Sequence, residues 1–439
     1  MLWRNLLIVP VLLLMAQPAL AQEAAPVASA VGVDTLFVLV SAFLVFLMQA
    51  GFGMLEAGFI RAKNTCNILF KNFLDYCMAS LGFFVFGYAI MFSEGNPFFG
   101  TSGFLLVGAE SGADVPIWAF WLFQAAFCGA AATIVAGGMA ERMKFTAYLA
   151  YSFIISAFVY PVVGHWTWGG GWLAQLGFFD FAGSTVVHMT GGVTALVGAW
   201  ILGPRLGRFN PDGSPNPIPG HSVPLASLGV FILWFGWFGF NAGSNLAVGD
   251  GEAIALIALN TNLAAASGAI TSTFISWIVG GKPDLYFTMN GALAGLVGIT
   301  ASCAVVTPGA AIWIGVASGF VIVLGERLLN RVRIDDPCGA FPVHGLCGLW
   351  GTLAVGLWGR ESLGLGQDGV FYGGGVEQLG IQALGALSSG LFVFLAMGLV
   401  FLAIRAVLGL RVSRREEIRG LDINEHGMES YTGFQILGS

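Results

Sequence analysis

Two nine-residue stretches of the chain end in histidine and echo each other. Asp180-Phe-Ala-Gly183-Ser-Thr-Val-Val187-His188 and Asp336-Pro-Cys-Gly339-Ala-Phe-Pro-Val343-His344 share Asp, Gly, Val and His at identical spacing. A neutral imidazole carries one N–H donor and one acceptor nitrogen. Two such rings in contact can share a hydrogen, fix each other's tautomers, hold a small polar molecule in file, or pass a proton. The chain has five histidines, and His165, His221 and His426 fall near a span end, in a loop and in the tail. No third ligand stands at a matching position, which argues against a metal centre. There is no Gly-x-Ser-x-Gly motif and no pair of aspartates inside apolar segments, which argues against a hydrolase or intramembrane protease. The residues give no nucleophile–base constellation and no cofactor motif, so the chain does not read as an enzyme.

The elements that must place these histidines are membrane helices. Of 439 residues, 10% are charged and 56% hydrophobic, and the mean hydropathy is +0.81. A soluble globular protein carries roughly 25% charged residues, so an ordinary cytosolic enzyme, a nucleic-acid binder and a disordered chain are excluded. The 64 glycines are about twice the usual ~7%, which suits helices packed backbone to backbone. The six cysteines form no Cys-x-x-Cys pair and read as small buried residues.

Eleven apolar stretches are expected to span, roughly 34–59, 72–92, 117–139, 145–164, 185–203, 223–241, 253–279, 286–306, 309–325, 341–358 and 384–408. Before them, Leu6 to Met15 is too short an apolar run to cross ~30 Å of hydrocarbon. With Ala19-Leu20-Ala21 it reads as a signal peptide, residues 1–21, cleaved before Gln22. Sixteen of the 17 lysines and arginines after Arg4 fall on one side of this arrangement, and Arg360 alone falls on the other. By the positive-inside rule the mature N-terminus is outside and the tail, 410–439, is cytoplasmic. The proline-rich Asn210 to Pro224 joins two halves of five spans, about 34–205 and 222–383, within a transmembrane domain 22–409 that ends in one extra helix, 384–408. Five is odd, so the second half is inverted relative to the first, and the working site is expected between the halves near the midplane. Each Asp motif opens the last span of its half. Eight residues of helix, about 12 Å, would carry each histidine from the rim to the pseudo-two-fold axis.

These residues make the chain similar to a known family. Asp180 to His188, Asp335 to Gly348 (DDPCGAFPVHGLCG), Trp234 to Ser244 (WFGWFGFNAGS), Ala140 to Phe145 (AERMKF) and Gly420 to Tyr431 (GLDINEHGMESY) together resemble the ammonium transporter/methylammonium permease/Rhesus superfamily, on its bacterial ammonium-transporter branch. The resemblance implies an all-α polytopic membrane protein of eleven helices, a homotrimer, one pore per protomer, and ammonium/ammonia (methylammonium as analogue) as substrate in the cell inner membrane.

It also implies roles. Phe123, Trp168 and Ser244, supported by Asp180, match the positions that recruit the cation. Trp168 would hold it by its ring quadrupole for roughly 0.5–2 kcal/mol. Phe127 and Phe240 match a stacked gate. His188, His344 and Trp237 match the pore lining, the histidine pair passing ammonia and relaying the stripped proton. Asp336 reads as structural. The tail matches a docked regulatory segment, and a PII-type signalling protein is an implied partner at the cytoplasmic mouth. Within this resemblance an ammonium sensor and a Rhesus-type ammonia/CO2 gas channel are the alternatives. Trp168 and the Gly420 to Tyr431 tail favour the bacterial transporter branch, and the charge run Arg414 to Glu417 reads as a solvated face.

Overall fold

The computed structural model describes residues 30–431. The expected signal peptide lies outside the described residues, as do 432–439 of the tail. Among the described residues, ten helical runs are long and apolar enough to cross a membrane. In chain order they are α1 (Ala30–Phe59), α2 (Ala62–Phe92), α3 (Ile117–Met139), α4 (Phe145–Gln175), α5 (Ser184–Leu202), α6 (Val223–Asn245), α7 (Gly251–Gly280), α9 (Pro308–Arg331), α10 (Phe341–Trp358) and α11 (Glu377–Val407). The expected eighth span is shorter: α8 (Leu285–Thr300) has 16 residues, about 24 Å of helix, followed by irregular turns where helix was expected to 306. Every residue from Met289 to Thr300 is buried. α8 is therefore clad in protein rather than lipid, the condition under which non-helical backbone is tolerated at membrane depth.

α2 starts about ten residues earlier than its hydropathy suggests. Asn67, Lys71, Asn72 and Asp75 dilute the apolar run, yet all four are buried. They point into the protein, where Lys71 Nζ donates to Met143 O (2.8 Å) and Tyr148 OH donates to Asp75 Oδ2 (2.5 Å).

The packing repeats between the halves. α1–α3, α2–α3, α2–α4 and α3–α5 contacts in the first half have counterparts α6–α8, α7–α8, α7–α9 and α8–α10 in the second. The halves meet most extensively along α1 and α6, and again where α5 crosses the start of α10. At that crossing a Cβ added to Gly192 would stand 2.1 Å from the Gly345 backbone nitrogen. Only glycine permits this approach, and it brings α5 and α10 together beside the histidines.

The basic loops gather at one end. Arg205, between α5 and α6, pairs with Asp335 before α10 (2.8 Å) and with Glu141 after α3 (2.8 Å), while Glu141 also pairs with Arg61 after α1 (2.5 Å). Burial alone would raise the Asp335 pKa. Arg142 and Arg205 outweigh it and hold the carboxyl well below the usual carboxylate range. At the other end Arg360 pairs with Asp368 (3.1 Å), so the two groups of basic residues separate as their sequence positions suggest.

The tail folds back on this loop end. Ser413 and Glu416 form a capping box on α12 (Arg414–Arg419). The run Arg414 to Glu417 is not a solvated face throughout: Glu417 is buried, accepts from the Leu206 backbone N–H (2.7 Å) and pairs with Arg411 (2.7 Å). Burying an acid costs stability unless it is paired, and Arg411 supplies the partner. Beyond α12, the Asp422 carboxylate accepts the Cys66 and Asn67 backbone N–H groups (3.0 and 2.8 Å).

Candidate functional site

The two histidines sit in equivalent but unexpected local structure. Each lies in a π-helical turn, Ser184–Met189 and Phe341–Leu346; such turns recur at functional sites because they re-aim side chains. Asp180 and Asp336 are not the first residues of continuous helices, so the 12 Å helical rise expected from Asp180 to His188 does not occur. Gly183 has φ +111°, a left-handed value that breaks the helix before Ser184 and that a Cβ would oppose. Asp180 stands outside and caps it. Oδ1 accepts from Gly183 (3.0 Å) and Ser184 (2.8 Å), and Oδ2 from Thr185 (2.8 Å) and Val186 (3.0 Å). Asp336 caps α10 likewise, from Gly339 (3.1 Å), Ala340 (3.0 Å) and Phe341 (2.8 Å). Helix N-termini leave such N–H groups without intrahelical partners, and the two carboxylates fill that need on both sides of the repeat.

The caps bring the rings together. His188 and His344 approach Nδ1 to Nδ1 at 3.2 Å, with ring planes 24° apart. Both are buried, and His188 Nε2 has no partner among the described residues. A shared hydrogen at the Nδ1 contact makes one nitrogen donor and the other acceptor. Trp237 stacks on His188 at 4.9 Å and is itself fixed by donating Nε1–H to Thr300 Oγ1 (2.9 Å).

Above the histidines, away from the basic loops, the expected residues form one column. His188 stacks on Phe240 at 5.2 Å, and Phe240 on Phe127 at 4.0 Å and 25°. Phe123 packs against Phe127 at 4.6 Å, and Trp168 stands edge-on to it at 6.4 Å. Beyond this stack a cavity of about 340 Å³ is lined by Phe123, Phe127, Trp168 and Ser244. Trp168 is held by donating Nε1–H to the Asp180 carbonyl (2.7 Å). The Ser244 hydroxyl donates to Phe240 O (2.8 Å), which leaves its oxygen lone pairs to accept a further hydrogen. The structure thus places every expected site residue in one file: Trp168, Phe123 and Ser244 about the cavity, then Phe127 and Phe240, then the histidines and Trp237. Asp180 supports the file from behind, as a cap.

Below His344 the file continues into residues the sequence reading passed over. A small cavity of about 10 Å³ is lined by Phe52, Glu56, Asn290, Cys338, Val343 and His344, with Phe52 at 5.9 Å from the His344 ring. Glu56 is 2% exposed and accepts from Asn72 Nδ2 (2.7 Å). Neither polar atom of the Asn290 side chain has a partner among the described residues. An acid deep inside α1, some twenty residues past Asp34 at its start, is a signal available from sequence, since intramembrane carboxylates are costly and rarely idle. Asn290, one amide in a glycine-rich stretch, gives none.

The whole column is uncharged apart from Glu56, and among the described residues no group of histidine, cysteine and acids could hold a metal ion. All six cysteines are free. Such a file can desolvate, hydrogen-bond and pass a small neutral molecule, and its ring nitrogens can carry a proton.

The sequence profile described as Ammonium Transporter Family matches residues 36–431. The chain is 45% identical over 419 residues to ammonium transporter Amt2 of Archaeoglobus fulgidus, covering 92% of this chain and 89% of that one. It is 47% identical over 406 residues to a putative ammonium transporter of Synechocystis sp., covering 90% and 88%. Among solved structures it is similar to one described as Sensor Amt Protein (TM-score 0.84, 39% identity, 90% of this chain and 99% of that chain). It is also similar to Candida albicans Mep2 (TM-score 0.80, 30% identity, 87% of each chain).

Proposed function

The chain belongs to the ammonium transporter family, and from that premise we propose that it carries ammonium/ammonia across the cytoplasmic membrane by separating the ion from its proton. The observation that carries this reading is the unbroken file of stacked phenylalanines and paired imidazoles, Phe127, Phe240, His188 and His344.

A small hydrated cation pays a large penalty on entering a dry, low-dielectric passage. Trp168, Phe123 and Ser244 offset part of it at the mouth: the aromatic faces by their quadrupoles, the serine by accepting one N–H bond, which potassium cannot give. Asp180 holds the mouth and the start of α5 in place. Phe127 and Phe240, 4.0 Å apart, close the column to water. Past them only a neutral molecule travels cheaply. Ammonium loses its proton at the gate, and the ammonia that remains hydrogen-bonds to the imidazole nitrogens in turn, with Trp237 fixing the His188 ring. The Nδ1–Nδ1 bond gives the stripped proton a separate route.

In this reading the chain is a homotrimer in the cell inner membrane with a pore in each protomer. Residues 1–21 are removed, the mature N-terminus is outside, and the tail is cytoplasmic, where a PII-type protein docks. The 22–409 region is the transmembrane domain, with halves about 34–205 and 222–383 and the extra helix 384–408. A second reading, an ammonium sensor, is favoured by the likeness to a structure described as a sensor protein. It uses the same recruitment site but needs no flux.

The test is electrical and chemical together. Purified protein in liposomes is challenged with ammonium, methylammonium and potassium, and current and uptake are recorded for the wild type and for His188→Ala and His344→Ala. Selective ammonium flux that the alanines uncouple or abolish is the expected result. Unchanged, still-selective transport in both variants refutes the histidine role, and ammonium binding without flux in the wild type establishes the sensor instead.

A further inference from the structure

The cavity below His344 holds two polar groups that the recruitment, gate and histidine roles leave unused. Glu56 comes from α1, in the first half, and Asn290 from α8, in the second; His344 closes the space between them. The volume, about 10 Å³, suits one molecule the size of water or ammonia.

The Glu56 carboxylate is placed by a chain of buried hydrogen bonds. Thr133 Oγ1 donates to Asn72 Oδ1 (2.8 Å), and Asn72 Nδ2 donates to Ile68 O (3.0 Å) and Glu56 Oε2 (2.7 Å). The amide can therefore present only its NH2 group to Glu56. One carboxyl oxygen is occupied. The other, Oε1, lies beside Gly137, where an added Cβ would meet it at 3.3 Å. Three helices, α1, α2 and α3, are thus joined through buried polar groups to hold one acid at the lower end of an otherwise uncharged file.

Asn290 supplies the independent observation. Its side chain is 1% exposed, yet both its amide nitrogen and its oxygen lack partners. Buried polar atoms are almost always hydrogen-bonded, and leaving two unmet costs free energy. The pair of unmet groups, one donor and one acceptor, faces a space of one small molecule. Ammonia needs both: a donor for its lone pair and acceptors for its N–H bonds.

We propose that Glu56 is the inner proton donor, the group that turns ammonia back into ammonium before release, with Asn290 holding the nitrogen beside it. The proposal rests on the transport reading above and adds the fate of the proton. Protonated Glu56 gives its carboxyl proton to ammonia. The O–H bond breaks, an N–H bond forms on the nitrogen lone pair, and ammonium leaves a carboxylate behind. That carboxylate takes its next proton across the cavity from the imidazolium at His344, which returns to the neutral ring. Each cycle therefore moves one ammonia and one proton inward, and Glu56 closes the proton route that the histidine pair opens.

The experiment separates charge from nitrogen. Wild type, Glu56→Gln, Glu56→Asp and Asn290→Leu are purified, checked for folding by size exclusion, and reconstituted. Ammonium-evoked current is measured beside methylammonium uptake on the same vesicles. The expected result is that Glu56→Gln lowers current at least about tenfold and lowers uptake by a clearly smaller factor, and that Glu56→Asp restores most of the current. Should Glu56→Gln not fold, Asn290→Leu, which alters no charge, is expected to depress current more than uptake. Current equal to wild type in Glu56→Gln, or current and uptake falling together in both folded variants, overturns the proposal. A wild type that moves nitrogen without charge also overturns it but leaves the transport reading standing. A wild type that moves neither refutes the transport reading itself.

Discussion

Replacing Asp180 with asparagine or alanine separates a cap from a charge. Its two carboxyl oxygens serve four backbone N–H groups, those of Gly183, Ser184, Thr185 and Val186. All four residues are buried, so water cannot take over. A buried donor left unmet costs about 1–3 kcal/mol. Asparagine keeps one oxygen, and with it two of the bonds, but turns an NH2 group toward the other two donors. The least cost is then about 2 kcal/mol, and alanine, which abandons all four, costs at least about 4 kcal/mol. At 1.4 kcal/mol per factor of ten, the frayed fraction of the α5 start rises roughly 30-fold in Asp180→Asn and roughly 700-fold in Asp180→Ala. His188 lies only four residues past Ser184, so the fraying moves the ring away from His344. Hydrogen exchange of the 183–189 amides reads the first effect, and ammonium-evoked current in liposomes reads the second. Both are expected to worsen in the order wild type, Asn, Ala. Native protection in Asp180→Asn, with transport lost all the same, would refute the capping argument and assign Asp180 to the cation's charge.

Four further expectations follow from the same geometry. Gly192→Ala puts a Cβ 2.1 Å from the Gly345 nitrogen and must part α5 from α10; overpacking of this kind costs about 1–3 kcal/mol, so a lower Tm together with lost uptake is expected. Phe127→Ala opens a gate ring that stacks on Phe240 at 4.0 Å; potassium currents should emerge in the liposome assay, and continued exclusion of potassium would remove the gate role. Asp335→Asn breaks a buried ion pair and should cost about 3–5 kcal/mol at neutral pH, read as Tm in detergent. Because the folded carboxyl is held below its ordinary value of 3.8, the gap between wild type and variant stays constant down to about pH 4 and closes only in stronger acid. His426 accepts from Asn67 Nδ2 at Nε2 (2.9 Å) and stacks on Phe70 (4.5 Å); burial and Lys71 keep its pKa below 6.5. The tail bond it makes is thus whole above that pH and weakens as pH falls, so hydrogen exchange over 420–428 should rise between pH 7.5 and 5.5.

How much of this was legible in the sequence differs from residue to residue. The histidine pair was, because the motif occurs twice and two copies in inverted halves must converge. Phe127 and Phe240 were not separable from the other phenylalanines by pattern; only their positions within the resemblance picked them out. The π turns were invisible, since a π turn and an α turn draw on the same residues and differ in which carbonyl each N–H meets. That is why a continuous helical rise is expected from Asp180 to His188, where the structure has a cap at Asp180 followed by a π turn. α2 began early because its polar residues face inward, which hydropathy averages away. α8 ended early because the protein around it, not its own length, keeps it from lipid. Glu56 is legible as an acid deep in an apolar span; the unmet amide of Asn290 exists only once the helices are assembled.

The Asp422 contact bears on the order in which the protein can be completed. α2 opens with a 3-10 turn, Ala62–Asn64, and is α-helical from Thr65; the Asn64 side chain, which would ordinarily cap that α-helical part, is turned instead to the Leu421 N–H (2.9 Å). The N–H groups of Cys66 and Asn67 are met by Asp422, some 350 residues later in the chain. A helix inserted near the start of synthesis therefore waits for almost the last residues made before its first turn is satisfied. A chain truncated before residue 421 leaves the N–H groups of Cys66 and Asn67 without their carboxylate and Asn64 without its partner.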